Sequence, residues 1–260
     1  MTEPERSQPV RVASRDNPLV KQLRRLAGNG SAYRKLGQFW IEGEHLCRAA
    51  LERQLRPSTL VVADSHVSRV PLSWMQAAVR TVVLTDALFE GISVLESPGR
   101  VGFVLELPAL ADPRAGVPTV VLDRIQDAGN VGSILRSAAA FGFRQVLALQ
   151  GTAGLWSPKV LRAGMGAHFG LDMVEGLDAA AVLATGLPLV VTSSHQGRDL
   201  HRTQLPRPCA WVFGHEGQGV GPALMERAEV AVQIPQPGGE ESLNVAAAAA
   251  ICLYESCRPA

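Results

Sequence analysis

Within NPLVKQLRRLAGN, residues 17–29, the apolar side chains fall at Leu19, Val20, Leu23 and Leu26. That is the spacing of one helical face, and it leaves Lys21, Arg24 and Arg25 on the others. GEHLCRAALERQL reads as a second helix, while STLVVAD, RTVVLTD and GRVGFVLEL are apolar runs of strand length with short helical patterns between them. The first part of the chain is therefore a small α/β domain. LPALADPRAGVP, residues 107–118, is rich in Pro, Ala and Gly and reads as a linker. These features predict a first domain over 1–108 with 1–14 flexible, a link over 109–117, and a second domain over 118–260.

The second domain has a regular rhythm. TVVLD, RQVLALQ, LPLVVTSS, CAWVFG and EVAVQIP are strand patterns, and GNVGSILRSAAAFG, SPKVLRAG, VGPALMERA and SLNVAAAAAICLYESC are helical ones. Continuous apolar strands alternating with helices predict an α/β fold with a mainly parallel sheet covered on both faces. Polar, glycine-rich clusters follow three of the strands: DRIQDAGN, HEGQGV and QPGGEESLN. Open α/β sheets bind ligands beyond the carboxyl ends of their strands, so these loops predict a site on one rim.

Composition narrows the function classes. With a formal charge of +1 over 260 residues the chain has no uniformly basic coat. Residues 1–56, however, hold eleven Lys/Arg against six Asp/Glu, a local excess of 11 − 6 = +5 that suggests a basic arm or face. Cys47, Cys209, Cys252 and Cys257 form no CxxC pair, and His195, His201 and His215 lack metal-ligand spacing, so no metal is expected. Cys209 and Cys252 sit in apolar surroundings that suit inert buried thiols. No apolar stretch reaches membrane-spanning length and MTEPERSQPV is no signal peptide, which together predict a cytoplasmic protein without a membrane partner. There is no GxxxxGK[ST], no GxSxG and no strand-borne GxGxxG, which excludes the common phosphate-binding and nucleophile-elbow enzymes.

LDRIQDAGNVGSILRSAAAFGF (122–143), VFGHEGQGV (212–220) and IPQPGGEESLNVAAAAA (234–250) resemble, in order, the three motifs of the SpoU, or TrmH, branch of the SPOUT RNA methyltransferases. SRDNPLVKQLRRLAGNGSAYRKLGQFWIEGEHLCRAAL is similar to the RNA substrate-binding domain often found ahead of that catalytic domain. The resemblance implies an α/β trefoil knot over 118–260, S-adenosylmethionine in the knotted loops, a homodimer, and ribose 2′-O-methylation of RNA, with ribosomal RNA as the expected substrate. A tRNA substrate, or a non-catalytic knotted RNA-binding or assembly protein, are the alternatives; loss of the motif 1 Arg or of the motif 3 Ser-x-Asn would mark the second.

Carried over residue by residue, the resemblance assigns Asn130, Arg136, Glu216, Ser242 and Asn244 to the catalytic site. It assigns Gly214, Ile234 and Leu243 to the cofactor, the last two through their main chain. Methyl transfer needs the hydroxyl held in line behind the methyl group, help in removing the proton, and water kept out. A guanidinium is a poor base, so Arg136 is expected to grip an RNA phosphate and steer the hydroxyl. Asn130 is expected at the entrance of its helix, where an N-cap would also be satisfied, and Ser242 as N-cap or first-turn residue of the alanine-rich helix. Glu240 and Glu241 would sit near that helix's positive end. The isolated histidines are left out of the site.

Overall fold

The computed structural model describes residues 8–109, 111–193, 197–238 and 242–258. The chain divides into two units, one of residues 1–108 with 156–158 and one of residues 109–155 with 159–260. In the first, β1 (Val10–Val12), α1 (Pro18–Gly28), α2 (Ala32–Leu36), β2 (Gln38–Glu42), α3 (Glu44–Glu52), β3 (Thr59–Ala63), α4 (Leu72–Ala77), β4 (Arg80–Leu84), α5 (Asp86–Glu90) and β5 (Val101–Glu106) follow one another. The sheet order is β1-β4-β3-β5-β2. β1, β4 and β3 run parallel, and β5 is antiparallel to both β3 and β2.

Helix α1 starts where the sequence places it. The Asn17 side chain accepts from the Leu19 N–H, Pro18 opens the first turn, and Leu19, Val20, Leu23 and Leu26 are buried. Two elements differ from expectation. Residues 10–12, inside the stretch expected to be flexible, pair with Val82–Leu84 as an edge strand. Strand β2 went unread because Phe39, Trp40 and Ile41 are buried consecutively, which removes the alternation that marks a half-exposed strand.

The second unit contains β6 (Thr119–Asp123), α6 (Ala128–Ala140), β7 (Gln145–Leu149), α7 (Pro158–Gly164), β8 (Asp172–Leu177), α8 (Ala179–Leu183), β9 (Leu189–Thr192), β10 (Arg198–Asp199), β11 (Ala210–Gly214), α9 (Pro222–Met225), β12 (Ala228–Gln233) and α10 (Val245–Cys257). Its sheet order is β10-β12-β9-β11-β6-β7-β8, and every pairing is parallel. Val121, Leu147, Val191 and Val212 stack on one face of it with Val182 and Leu224. Residues of opposite parity, among them Val120, Leu122, Trp211 and Phe213, are equally buried and point the other way. Strand β8 escaped the sequence reading because Asp172, Glu175 and Gly176 dilute its pattern and only Val174 is fully buried, as an edge position allows.

Part of the expected linker belongs to this unit. The Arg114 N–H donates to Gln145 Oε1 at 2.8 Å, Gln145 Nε2 donates back to the Arg114 carbonyl, and the Arg114 guanidinium pairs with Asp172. Helix α10 packs on α6 and β11. It buries Ala249, Cys252 and Leu253, and Trp211 Nε1 donates to Ser256 Oγ at 2.6 Å. The alanines favour the helix and let its backbone come close to α6. Among the described residues no helix is long and apolar enough to cross a membrane.

Candidate active site

Strand β6 ends in Asp123, whose side chain is 1% exposed at the head of the first glycine-rich loop. An acid so buried needs partners, and it has them. Asp123 Oδ2 accepts from the Gly221 N–H at 2.6 Å, and Oδ1 accepts from Arg124 Nε at 2.8 Å. Arg124 takes a left-handed backbone (φ 62°), and its guanidinium reaches on to Gln218 Oε1 at 2.9 Å. A buried carboxylate on β6 thus clamps the loop that follows β11. The chain then enters α6 through Asp127, whose Oδ1 accepts from the Asn130 N–H at 2.7 Å. Asp127 is the N-cap, so Asn130 does not cap the helix; it occupies the third helical position. Its side chain is left for other work.

The second loop folds back on itself. The His215 N–H donates to the Gly219 carbonyl and the Gly219 N–H donates to the His215 carbonyl, at 3.0 and 2.8 Å. His215 Nδ1 accepts from the N–H groups of Gly217 and Gly217's neighbour Gln218. The histidine excluded on its spacing is therefore the internal brace of the loop. Gly219 needs its positive φ of 69° to close the turn. Gly214 is required for a different reason: a Cβ there would lie 2.2 Å from Gly219 C and Val220 N.

From this loop Glu216 reaches back to the first. It accepts from the N–H groups of Gln126 and Asp127, each at 3.3 Å, and from Asn130 Nδ2 at 3.2 Å. Asn130 Oδ1 in turn accepts from Asn244 Nδ2 at 2.9 Å. Asn244 Oδ1 accepts from the N–H groups of Ala246 and Ala247, which makes Asn244 the N-cap of α10 in place of Ser242. One chain of side-chain hydrogen bonds, Glu216–Asn130–Asn244, joins all three loops.

Beside it opens a cleft of about 620 Å³, within the ~300–1,000 Å³ usual for small-molecule sites. Gly214, Glu216, Ile234, Ser242, Leu243 and Asn244 line it, so six of the eight residues expected at the site meet there. Asn130 joins them through its bonds to Glu216 and Asn244. Arg136 does not: it is exposed on α6 and absent from the cleft lining. Six positions along a helix from Asn130 is about 240° of rotation, so the two cannot share a face. Glu240 and Glu241 lie outside the described residues. The sequence reading missed Asp123, Arg124, Asp127, His215 and Gln218, whose only signal was their density within the two loops. It also missed Gln236, which lines the cleft with its Oε1 buried. Among the described residues no group of three or more His, Cys, Asp or Glu could hold a metal ion.

Burial alone would push the Glu216 carboxyl up. Hydrogen bonds from its own N–H, the Asn130 amide and the Gln126 and Asp127 N–H groups outweigh that and hold it below the usual carboxylate range. A lowered pKa means the bonded, ionised form is complete above the ordinary value of about 4.3 and is lost only as pH falls through the lower, folded one. A pH–rate profile between about pH 5 and 8 should therefore show no inflection from Glu216. Glu216→Gln is expected to lower the whole profile without changing its shape, and a limb that vanished in this variant would make Glu216 a titrating base.

The SpoU rRNA Methylase family model matches residues 118–254, and the MRM3-like substrate binding domain matches residues 17–102. The chain is 31% identical over 248 residues to the 23S rRNA (guanosine(2553)-2′-O)-methyltransferase RlmP of Bacillus subtilis, covering 94% of this chain and 97% of the relative. Two solved structures are similar over nearly their full length. The AdoMet-bound rRNA methyltransferase from Sinorhizobium meliloti is 27% identical with a TM-score of 0.83, covering 96% of this chain and 98% of the other. The SpoU methyltransferase AviRb from Streptomyces viridochromogenes, in complex with the cofactor AdoMet, is 26% identical with a TM-score of 0.82, covering 93% and 97%. With residues 118–254 matched by the family model, and a relative similar over 94% of the chain, this chain belongs to the SpoU rRNA methylase family.

Proposed function

We propose that this protein transfers a methyl group from S-adenosylmethionine to a ribose 2′-hydroxyl of ribosomal RNA. The observation that carries the reading is the bonded chain Glu216–Asn130–Asn244, which fixes three motif loops around one cleft in a member of this family. Its relatives include enzymes named as 23S rRNA 2′-O-methyltransferases and structures named as holding AdoMet.

The cleft fits the cofactor. It has the volume, a glycine at Gly214 that brings backbone to its wall, and at Gln236 a buried acceptor oxygen with no partner among the described residues. The main chain of Ile234 and Leu243 and the backbone at Gly214 would hold it. When bound, S-adenosylmethionine supplies an activated methyl group on a cationic sulfur. Glu216 lines the same cleft as an ionised carboxylate and would favour a cation there without removing a proton. Ser242 and Asn244, on either side of Leu243 in the third loop, orient the ribose hydroxyl, and positioning of this kind lowers the barrier by removing rotational freedom in advance.

Arg136 has no hydrogen bond or ion pair with any described residue and stands outside the cleft of its own chain. A free guanidinium on a helix surface suits a bidentate grip on an RNA phosphate. In this reading the protein is a homodimer, with a second copy against α10, where Ile251 and Tyr254 are 43% and 59% exposed. The threaded loops of the resemblance belong to the same reading, as does RNA contact by the basic first 56 residues. A reducing cytoplasm suits its four free cysteines.

Incubation with labelled methyl donor and ribosomal RNA, followed by nucleoside analysis, should place the label on ribose oxygen; label on bases only, or on no RNA, overturns the proposal. Arg136→Ala is expected to bind cofactor unchanged and to lose about tenfold in transfer, the worth of one charge-assisted contact. Undiminished turnover would remove Arg136 from the mechanism.

A further inference from the structure

We propose that Gln236 selects the cofactor by accepting a hydrogen bond from the exocyclic amine of its adenine ring. The inference rests on the cofactor reading above and adds to it a third-motif side chain to which the resemblance assigns no role. Gln236 lies in the loop that leaves β12 and lines the cleft with Ile234, Ser242 and Leu243. Its Oε1 is buried and has no hydrogen-bond partner among the described residues. A buried amide oxygen left unpaired is costly, so a bound donor at that point gains what the empty site lacks.

The neighbours explain why the oxygen is an orphan. Gln236 stands between Pro235 and Pro237, neither of which has an N–H to offer it. Proline at 237 also holds residue 236 in extended backbone, so the side chain is presented from a stiff segment. The cofactor carries three kinds of donor, and the cleft sorts them by charge. Its ammonium, like its sulfonium, is a cation and suits the ionised Glu216 rather than a neutral acceptor. Its ribose hydroxyls donate and accept at once, as does Ser193 along the same wall. The remaining donor is a neutral amine on a flat, apolar ring. Gln236 offers a neutral acceptor, and Val220, Met225, Val232, Ile234 and Leu243 give the cleft the apolar surface such a ring needs. A site built to pair a polar group rejects the analogue that lacks it, because its own group is then left unpaired.

The test is calorimetric titration of the full chain with S-adenosylhomocysteine and with its 6-deamino analogue, which keeps the ring and loses the amine. The wild-type protein should prefer the amine-bearing ligand about tenfold. Gln236→Leu should bind both ligands equally, and Gln236→Glu, which retains an acceptor, should keep the preference. Thermal melting of each variant reports folding separately. Equal binding of the two ligands by the wild-type protein, or an unchanged preference in Gln236→Leu, overturns the assignment of Gln236 while leaving the cofactor reading intact. Failure of the folded wild-type protein to bind either ligand overturns the cofactor reading and this inference together.

Discussion

Asn130→Ala is expected to lower methyl transfer about a hundredfold or more, the loss that follows when reacting groups drift by about an ångström. Asn130 is the only side chain bonded to both Glu216 and Asn244 among the described residues, donating to one and accepting from the other. Its removal leaves Glu216 on backbone N–H groups alone, its own and those of Gln126 and Asp127 at 3.3 Å, and removes the side-chain bond from the first loop to the third. The fold should survive. Asp127 still caps α6 and Asn244 still caps α10, and of the two lost bonds the neutral one is worth about 0.5–1.5 kcal/mol and the one to the ionised Glu216 about 1.5–3 kcal/mol. Single-turnover kinetics beside a thermal melt would separate the two effects. Transfer that fell only as far as stability did would mean the bonded chain holds the loops together without aligning substrate.

A larger effect on binding is expected from Gly214→Val. The Cβ would sit 2.2 Å from backbone atoms of Gly219 and Val220, which belong to a loop that cannot swing aside like a side-chain tip. The same loop is fixed by the Asp123–Gly221 bond and the Arg124–Gln218 bond. Overpacking of this kind typically costs about 1–3 kcal/mol or more. Here the strain falls on the cofactor wall, so affinity should drop beyond detection while the first unit remains folded. Cofactor titration with circular dichroism checks both halves, and wild-type affinity in this variant would mean the loop is not part of the binding wall.

The three loops were legible because their chemistry is local. Glycine beside acid and amide residues, directly after apolar strand runs, marks a turn at a strand's carboxyl end whichever fold contains it. The same locality set the limits. The sequence put Asn130 at the entrance of α6 and Ser242 at that of α10, and the structure gives those caps to Asp127 and Asn244. The choice rested on which carboxylate or amide the neighbouring loop left free. Asn130 was released from capping because Glu216, 86 residues away, needed a donor. His215 lacked ligand spacing, yet its ring accepts two N–H groups of its own loop. Arg136 carries the motif's spacing and still faces away from the cleft of its own chain, since helical rotation is indifferent to motif membership.

From the residues alone came two α/β units, most strand and helix runs of the second, and the three polar loops on its rim, because periodicity and turn chemistry act within a few positions of the chain; the six cleft residues came from the resemblance of those loops to the SpoU motifs. The order β10-β12-β9-β11-β6-β7-β8 could not be read that way, nor could the clamp from Asp123 to Gly221 or the orphaned oxygen of Gln236. Each depends on groups about a hundred residues apart, or on a partner that is missing nearby, and hydrogen bonds of that reach exist only once the sheet has brought its strand ends to one rim.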